Sequence, residues 1–303
     1  MLSRFSLDQL QAFVLVLQTG SFSAAAVRLA LTQPAVSLQV RELERRLGVR
    51  LLERVGRKVA PTAAGVLLLG HANAILNAVD QAAAAVQAQS DSVVGVVRLG
   101  TGATACIHLL PPLLKRIRVG HPQLQVVVTT GTADEFVRRV EQNDVDIALV
   151  ALPVTSRALV VTPSVKEAFV AIGPRDAPRL PKAVSPHYLA TRPMVLFEPG
   201  GSTRELVERW LLTGGVKARP EMELGSIEGL KEMVAAGLGY SLVPQTAVRP
   251  VDRTALQVRP LTPPLLRQLG VIVRADKPLT RGMRVVAEAL AKLELPRVGR
   301  RGA

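Results

Sequence analysis

Gln33, Ser37 and Arg41 recur at four-residue steps and form the first group with a clear chemical use. On a helix that spacing puts them on one face, with Ala35 and Leu38 close by. Glutamine and arginine can hydrogen-bond base edges, and serine reaches phosphates or bases, so the face suits a DNA major groove. The same three residues also suit a solvated helix face. A second group, Arg54, Arg57 and Lys58, surrounds Gly56 and could neutralise backbone phosphates. A third lies in three turns that combine glycine with hydroxyls: Gly100-Thr101-Gly102-Ala103-Thr104, Thr130-Gly131-Thr132, and Glu198-Pro-Gly-Gly-Ser202-Thr203-Arg204. Glycine permits close backbone approach and hydroxyls donate, while Arg204 could pair with a carboxylate or phosphate of a ligand, or with Glu208 one helical turn on. Ser226 is a further hydroxyl of this kind. Each Ser or Thr would equally serve as an ordinary helix cap, so the ligand reading rests on the convergence of three turns.

Other chemistry lacks support. Cys106 stands alone, which excludes an intrachain disulfide and a cysteine-based zinc site. Its position near the first turn suits a buried structural thiol. His71, His108, His121 and His187 are scattered, and no P-loop, GxSxG elbow or HExxH pattern occurs. No enzyme activity, metal or cofactor is expected. An unregulated architectural DNA-binding protein is the other rival, but it leaves the ligand-suited turns without a purpose.

These groups need scaffolds. Leu7, Leu10, Val14 and Leu17, with Phe13, mark an amphipathic first helix closed by Gly20. Ser23 would cap a short second helix containing Ala24, Ala25 and Ala26. Thr32 caps the third, about residues 33–47, where Pro34 is tolerated in the first turn. There Val36, Val40, Leu43 and Leu47 form the core stripe opposite the polar face. Gly48 ends this helix, and Leu51–Val59 reads as a β-wing around Gly56. Residues 1–61 thus make an all-α winged helix-turn-helix. Residues 62–92 make a linker helix whose seam, Leu68, Ala72, Ile75, Val79, Ala82 and Val86, alternates steps of four and three. That stripe would pack on the chain's own domains or, better, on a second copy.

From residue 93 to 303 the pattern is α/β. Expected strands are Val93–Leu99, Leu124–Thr129, Asp146–Val150, Lys166–Ile172, Met194–Glu198, Glu221–Leu224, Tyr240–Val243 and Gln268–Arg274. Helices are expected at Thr104–Val119, Asp134–Gln142, Ser202–Leu212, Ile227–Ala236 and Leu279–Leu293. Two lobes follow, one of about 93–165 with 270–295 and the other of about 166–269. They define a two-lobed, periplasmic-binding-protein-like domain with ligands at the strand ends.

The 303 residues carry a net charge of +14, divided as +5 over 1–60, −2 over 61–92 and +11 over 93–303. Such an excess favours a polyanionic partner, DNA first. The start shows no signal-peptide pattern and no long apolar run spans a membrane, so a cytoplasmic protein is expected.

Residues Leu7 to Gly65 resemble the N-terminal domain of LysR-type transcriptional regulators. The matching pieces are Leu10-Gln-Ala-Phe13, Gly20-Ser-Phe-Ser23 with Ala25-Ala26, Leu31-Thr-Gln-Pro-Ala-Val-Ser37, Leu43-Glu44, Leu47-Gly48, Leu52-Glu-Arg54, Arg57 and Pro61-Thr-Ala-Ala-Gly65. The family more often has Phe at Leu52, Leu at Ala60-Pro61 and Ile at Val40. Leu109-Leu-Pro-Pro112, His121-Pro122, Asp144-Val-Asp-Ile-Ala148, Val234–Gly239 and Val243-Pro244 resemble landmarks of the family's effector domain. The resemblance implies a sequence-specific DNA-binding regulator modulated by a small molecule, with the linker helix forming a homodimer or homotetramer on a partly palindromic operator and RNA polymerase as a further partner. It implies DNA contact by Ser23, Thr32, Gln33, Pro34, Ala35, Ser37, Leu38, Arg41, Arg54, Arg57 and Lys58. Effector contact falls to Thr101, Gly102, Thr104, Thr132, Ser202, Thr203, Arg204 and Ser226, and an organic anion suits Arg204 and the helix N-termini.

Overall fold

The computed structural model describes residues 5–55, 58–87 and 93–295. The chain parts near Ser90 into two compact units.

The first unit starts with α1 (Leu7–Thr19), α2 (Phe22–Leu29) and α3 (Gln33–Leu47). Ser6 and Gln9 form a reciprocal capping box at the start of α1, satisfying N–H groups that a helix leaves unpaired. The cap of α2 is Ser21, which accepts from Ala24 N, and not Ser23. Gly20, with φ +67°, turns the chain so early that Ser21 is the last extended residue, and Ser23 already lies inside the helix. Thr32 caps α3 as expected, accepting from Ala35 N, and Gly48 closes it in the left-handed region. Leu10, Phe13, Val36, Val40, Leu43 and Leu51 are at most 2 % exposed and form the core. Leu7, expected in that stripe, is 42 % exposed, so the buried face begins at Leu10.

Strands β1 (Leu52–Val55) and β2 (Lys58–Pro61) pair antiparallel as the wing. Two interactions absent from the sequence reading anchor it. Buried Glu44 accepts the backbone N–H groups of Leu51 (2.8 Å) and Leu52 (3.2 Å), which ties the end of α3 to the wing. Gly65 opens α4 (Ala63–Gln87) so near Leu51 that a Cβ there would lie 2.1 Å from its carbonyl oxygen. Part of the seam expected on α4 is used within the unit. Ala72 is fully buried in the three-helix core and Leu68 packs against it, because the first turns of α4 close that core from below. Ile75 and Val79 remain 37 % and 43 % exposed, and Ala82 is also exposed; the side chain of Val86 lies outside the described residues.

The second unit contains β3 (Gly95–Thr101), α5 (Ala103–His108), α6 (Leu110–Gly120), β4 (Leu124–Thr130), α7 (Ala133–Glu141), β5 (Ile147–Ala151), β6 (Leu159–Pro174), α8 (Pro186–Ala190), β7 (Met194–Phe197), α9 (Ser202–Leu212), β8 (Pro220–Leu224), α10 (Ile227–Ala235), β9 (Ser241–Pro244), β10 (Leu256–Pro260), β11 (Leu266–Arg274) and α11 (Arg281–Ala291). Lobe I holds β3 parallel to both β4 and β5, then β11 antiparallel to β5, then the first part of β6. In lobe II the last part of β6 pairs with β9 and β10, and β7 pairs parallel with β8. Strand β6 therefore belongs to both lobes: residues up to Ala168 pair with β11, and those from Phe169 to Pro174 pair with lobe II strands.

Several boundaries differ from expectation for physical reasons. The helix expected at Thr104–Val119 breaks at Leu109, because Pro111 and Pro112 fit the first turn of a new helix but not the middle of an old one. Strand β6 begins seven residues before Lys166. Pro163 lies within it, opposite Gly270 beside a register shift, where a ladder donor can be spared. Strand β10 and the short α8 were not foreseen.

Candidate functional site

On the first unit the expected reading face is intact. Gln33, Pro34, Leu38 and Arg41 are exposed, Ala35 and Ser37 are half-buried, and Val36, Val40 and Leu43 lie on the opposite, buried side of α3. Arg41 has no protein partner among the described residues, whereas Arg45 is paired with Glu42 at 2.6 Å. The hydroxyl of Thr32 is committed to its cap, and Ser23 is exposed in the first turn of α2. Arg54 and Lys58 lie on the wing strands by backbone register. Their side chains, and Arg57 as a whole, fall outside the described residues. A further cation missed in the sequence, Arg50, lines a shallow depression with Arg41 and Arg45, 3.7 Å from Glu44. An exposed helix face of this composition, beside a basic wing, can enter a groove while the wing meets the backbone.

In the second unit a cleft of about 430 Å³ opens between the lobes. Its walls include Gly102, Thr104 and His108 from α5 and its approach, Thr132, the Pro199–Arg204 turn, Ser226 and Glu228 from α10, and Arg267 from β11. The three glycine–hydroxyl turns thus converge. Their side chains divide into two kinds. Thr104 and Ser202 carry no protein hydrogen bond among the described residues, and the N-caps of their helices, Gly102 and Gly201, supply no side-chain cap. Thr132 and Ser226 serve as caps, accepting from Glu135 N and Gly229 N.

Two expected residues are placed otherwise. Thr101 does not line the cleft: it is fully buried and its hydroxyl donates to the Leu149 carbonyl at 2.9 Å, joining β3 to β5. The reason is its place as the last residue of β3, one position short of the turn. Arg204 lines the cleft, but Glu208 (2.7 Å), Glu223 (2.8 Å) and the Phe197 carbonyl hold its guanidinium. Gly100, too, is used within the fold, since a Cβ there would lie 2.2 Å from the Phe136 ring.

The sequence reading missed the cleft's ionic framework. Glu167 on β6 is 1 % exposed and accepts from Arg267 on β11 at 2.9 Å. Thr246 donates to the same carboxylate, and Arg267 Nη1 donates to the Thr203 hydroxyl at 3.0 Å. This cluster ties β6 and β11 to the base of α9. At the cleft wall, His108 of lobe I meets Glu228 of lobe II at 3.1 Å. Glu228 also pairs with Lys231, a buried ammonium that donates to Asp252 and to the Ala247 carbonyl. Burial holds His108 below the ordinary imidazole pKa; Lys231 and Arg249 act in the same direction against the opposing pull of Glu228. Burial opposes ionisation of Asp252, but Lys231 and the Arg249 N–H outweigh it and hold the acid below the usual carboxylate range. A charged residue such as Glu167 within an apolar strand was the available signal, because a buried carboxylate requires a partner.

A winged helix-turn-helix joined to a two-lobed domain with a cleft is the architecture of a ligand-responsive transcriptional regulator. Residues 7–66 match the family described as bacterial regulatory helix-turn-helix protein, lysR family, and residues 90–294 match the LysR substrate binding domain. The chain belongs to the LysR family and is a DNA-binding transcriptional regulator with an effector-binding domain. It is 31 % identical over 294 residues to the HTH-type transcriptional regulator YeiE of Escherichia coli strain K12, covering 96 % of this chain and 99 % of the relative. It is 33 % identical to the HTH-type transcriptional regulator CbbR of Rhodospirillum rubrum, covering 94 % of each chain. Among solved structures, a cysteine-to-aspartate variant of full-length OxyR from Pseudomonas aeruginosa superposes with a TM-score of 0.75 at 24 % identity, covering 97 % of this chain and 100 % of that one, which establishes the shared fold. These relatives are regulators and not enzymes, as the sequence had suggested. No helix among the described residues is long and apolar enough to cross a membrane.

Proposed function

We propose that the chain acts in the cytoplasm on a partly palindromic operator, as a homodimer or homotetramer, with a small organic anion between its lobes modulating operator binding or promoter activation. The division of labour follows residues 1–61 for DNA, 62–92 for assembly and 93–303 for the effector. The α3 face of Gln33, Ser37 and Arg41 reads bases, and Arg54, Arg57 and Lys58 hold phosphates. Assembly rests on α4, which carries a single charged residue, Asp80, and leaves Leu67, Ile75 and Val79 70 %, 37 % and 43 % exposed. A second copy would cover that flank, and a two-fold protein meets a two-fold site.

The observation that carries the effector reading is the pair of free hydroxyls, Thr104 and Ser202, on helices whose N-caps offer no side chain. Backbone N–H groups left open at the start of α9 favour a carboxylate or phosphate oxygen. Arg204, already neutralised by two carboxylates, shapes this wall and adds little net positive charge. A ligand that prefers one lobe geometry shifts that equilibrium, and the shift alters head spacing and the recruitment of RNA polymerase.

A thermal-shift panel of carboxylates and phosphorylated acids tests this. A ligand at 100 times its Kd stabilises the native state by about 2.7 kcal/mol. Its effect should vanish in Thr104→Ala or Ser202→Ala while the ligand-free melting temperature stays unchanged. A hit that survives both substitutions would place the effector elsewhere.

A further inference from the structure

Leu38 sits where a leucine has no use in the folded chain. It is 61 % exposed on α3, while the helix buries its other face through Val36, Val40 and Leu43. Its neighbours three and four residues away are Pro34 and Ala35 on one side, which add only small apolar surface, and the charged Arg41 and Glu42 on the other. It stands on the same exposed side as Gln33 and Arg41, and Arg41 is unpaired among the described residues. A second copy is a poor occupant for this face, because residues 1–60 carry a net +5 and two such faces repel. A polyanion satisfies the flanking charge. Within a major groove, base edges present mainly donors and acceptors, and the C5-methyl of thymine is the one methyl group a leucine can cover there.

We infer that Leu38 is a specificity-determining residue that packs on a thymine methyl in each half-site of the operator. This rests on α3 being the reading helix and adds to it a base identity that hydrogen-bonding residues do not supply. Polar neighbours position the helix by directional bonds; Leu38 contributes by excluding water from a methyl, so it discriminates thymine from a pyrimidine that lacks one.

The test uses the full chain. Duplexes are enriched from a random pool, and each thymine of the enriched site is replaced singly by deoxyuridine, which removes only the methyl group. Binding is then measured for the native chain and for Leu38→Ala, a substitution on an exposed helix position that leaves the core untouched. One thymine per half-site should show about a fourfold loss with the native chain, the worth of one buried methyl, and no loss with Leu38→Ala. Equal losses in both proteins at every thymine, or no loss anywhere in a duplex that is still selectively bound, would overturn the inference. Failure to enrich any duplex would instead overturn the reading role of α3, and this inference with it.

Discussion

The reading face of α3 and the cleft between the lobes treat charge in opposite ways. On α3, Arg41 is exposed and has no partner among the described residues, so it carries no desolvation cost and is available to an external anion. In the cleft, Arg204 and Arg267 are met by carboxylates of the same chain, as is the buried Lys231 behind Glu228. A surface that attracts a polyanion keeps a cation such as Arg41 available at its centre, even where Arg45 beside it is paired. A pocket built to distinguish small molecules balances its charges first and leaves hydroxyls and backbone groups as the variable contacts. Net charge therefore drives the approach to DNA, while hydrogen-bond geometry decides what the cleft accepts.

The contrast can be broken most severely from the inside. Glu167→Ala strands Arg267 in a buried site and should destabilise the second unit by about 3–5 kcal/mol in urea unfolding. A loss below about 1 kcal/mol would show that water already reaches the pair. On the outer face, Gln33→Ala should leave folding unchanged and reduce discrimination between operator and random DNA by about 1–3 kcal/mol. Equal losses on both DNAs would make Gln33 a backbone contact. Replacing Arg54 and Arg57 together by alanine should flatten the dependence of log affinity on log salt by about two, one counterion per phosphate contact; an unchanged slope would refute their phosphate role.

The smallest effect concerns His108. Its pKa is lowered in the folded state, so the unfolded chain binds more protons below the ordinary imidazole value of about 6.5. The stability it contributes is present above that value and is lost as the pH falls toward the lower folded pKa. Unfolding midpoints measured between pH 7 and 5 should therefore decline, and less steeply in His108→Gln. An identical slope in the two proteins would place the acid sensitivity in other groups.

What could be read in the sequence depended on how local the cause was. Caps, the α3 stripe and the wing follow from neighbours a few residues apart, so Thr32, Val36, Val40 and Gly48 stand where periodicity placed them. Ser23 failed as a cap because the left-handed Gly20 set the frame two residues earlier. The convergence of the glycine–hydroxyl turns was also legible, since the ends of the parallel strands β3 and β4 share one edge and the turn after β7 faces them from the other lobe. Long-range pairs were not. Glu167 and Arg267 are 100 residues apart, and His108 and Glu228 are 120 apart; nothing in either neighbourhood names its partner. The same applies to Pro163, whose tolerance depends on Gly270.

Strand β6 also governs how the second unit can be made during synthesis. Lobe I opens the unit at β3, but its sheet lacks β11 until residues 266–274 have been translated, after all of lobe II. While the nascent chain lengthens, both β5 and the first half of β6 must wait with an unfilled strand slot between them. The last strand made by the ribosome for this unit is thus the one that seals the first lobe begun, and it carries Arg267 to the waiting carboxylate of Glu167 in the same movement. Any truncation before Leu266 leaves two open sheet edges in one molecule, the configuration most prone to pairing with another unfinished chain.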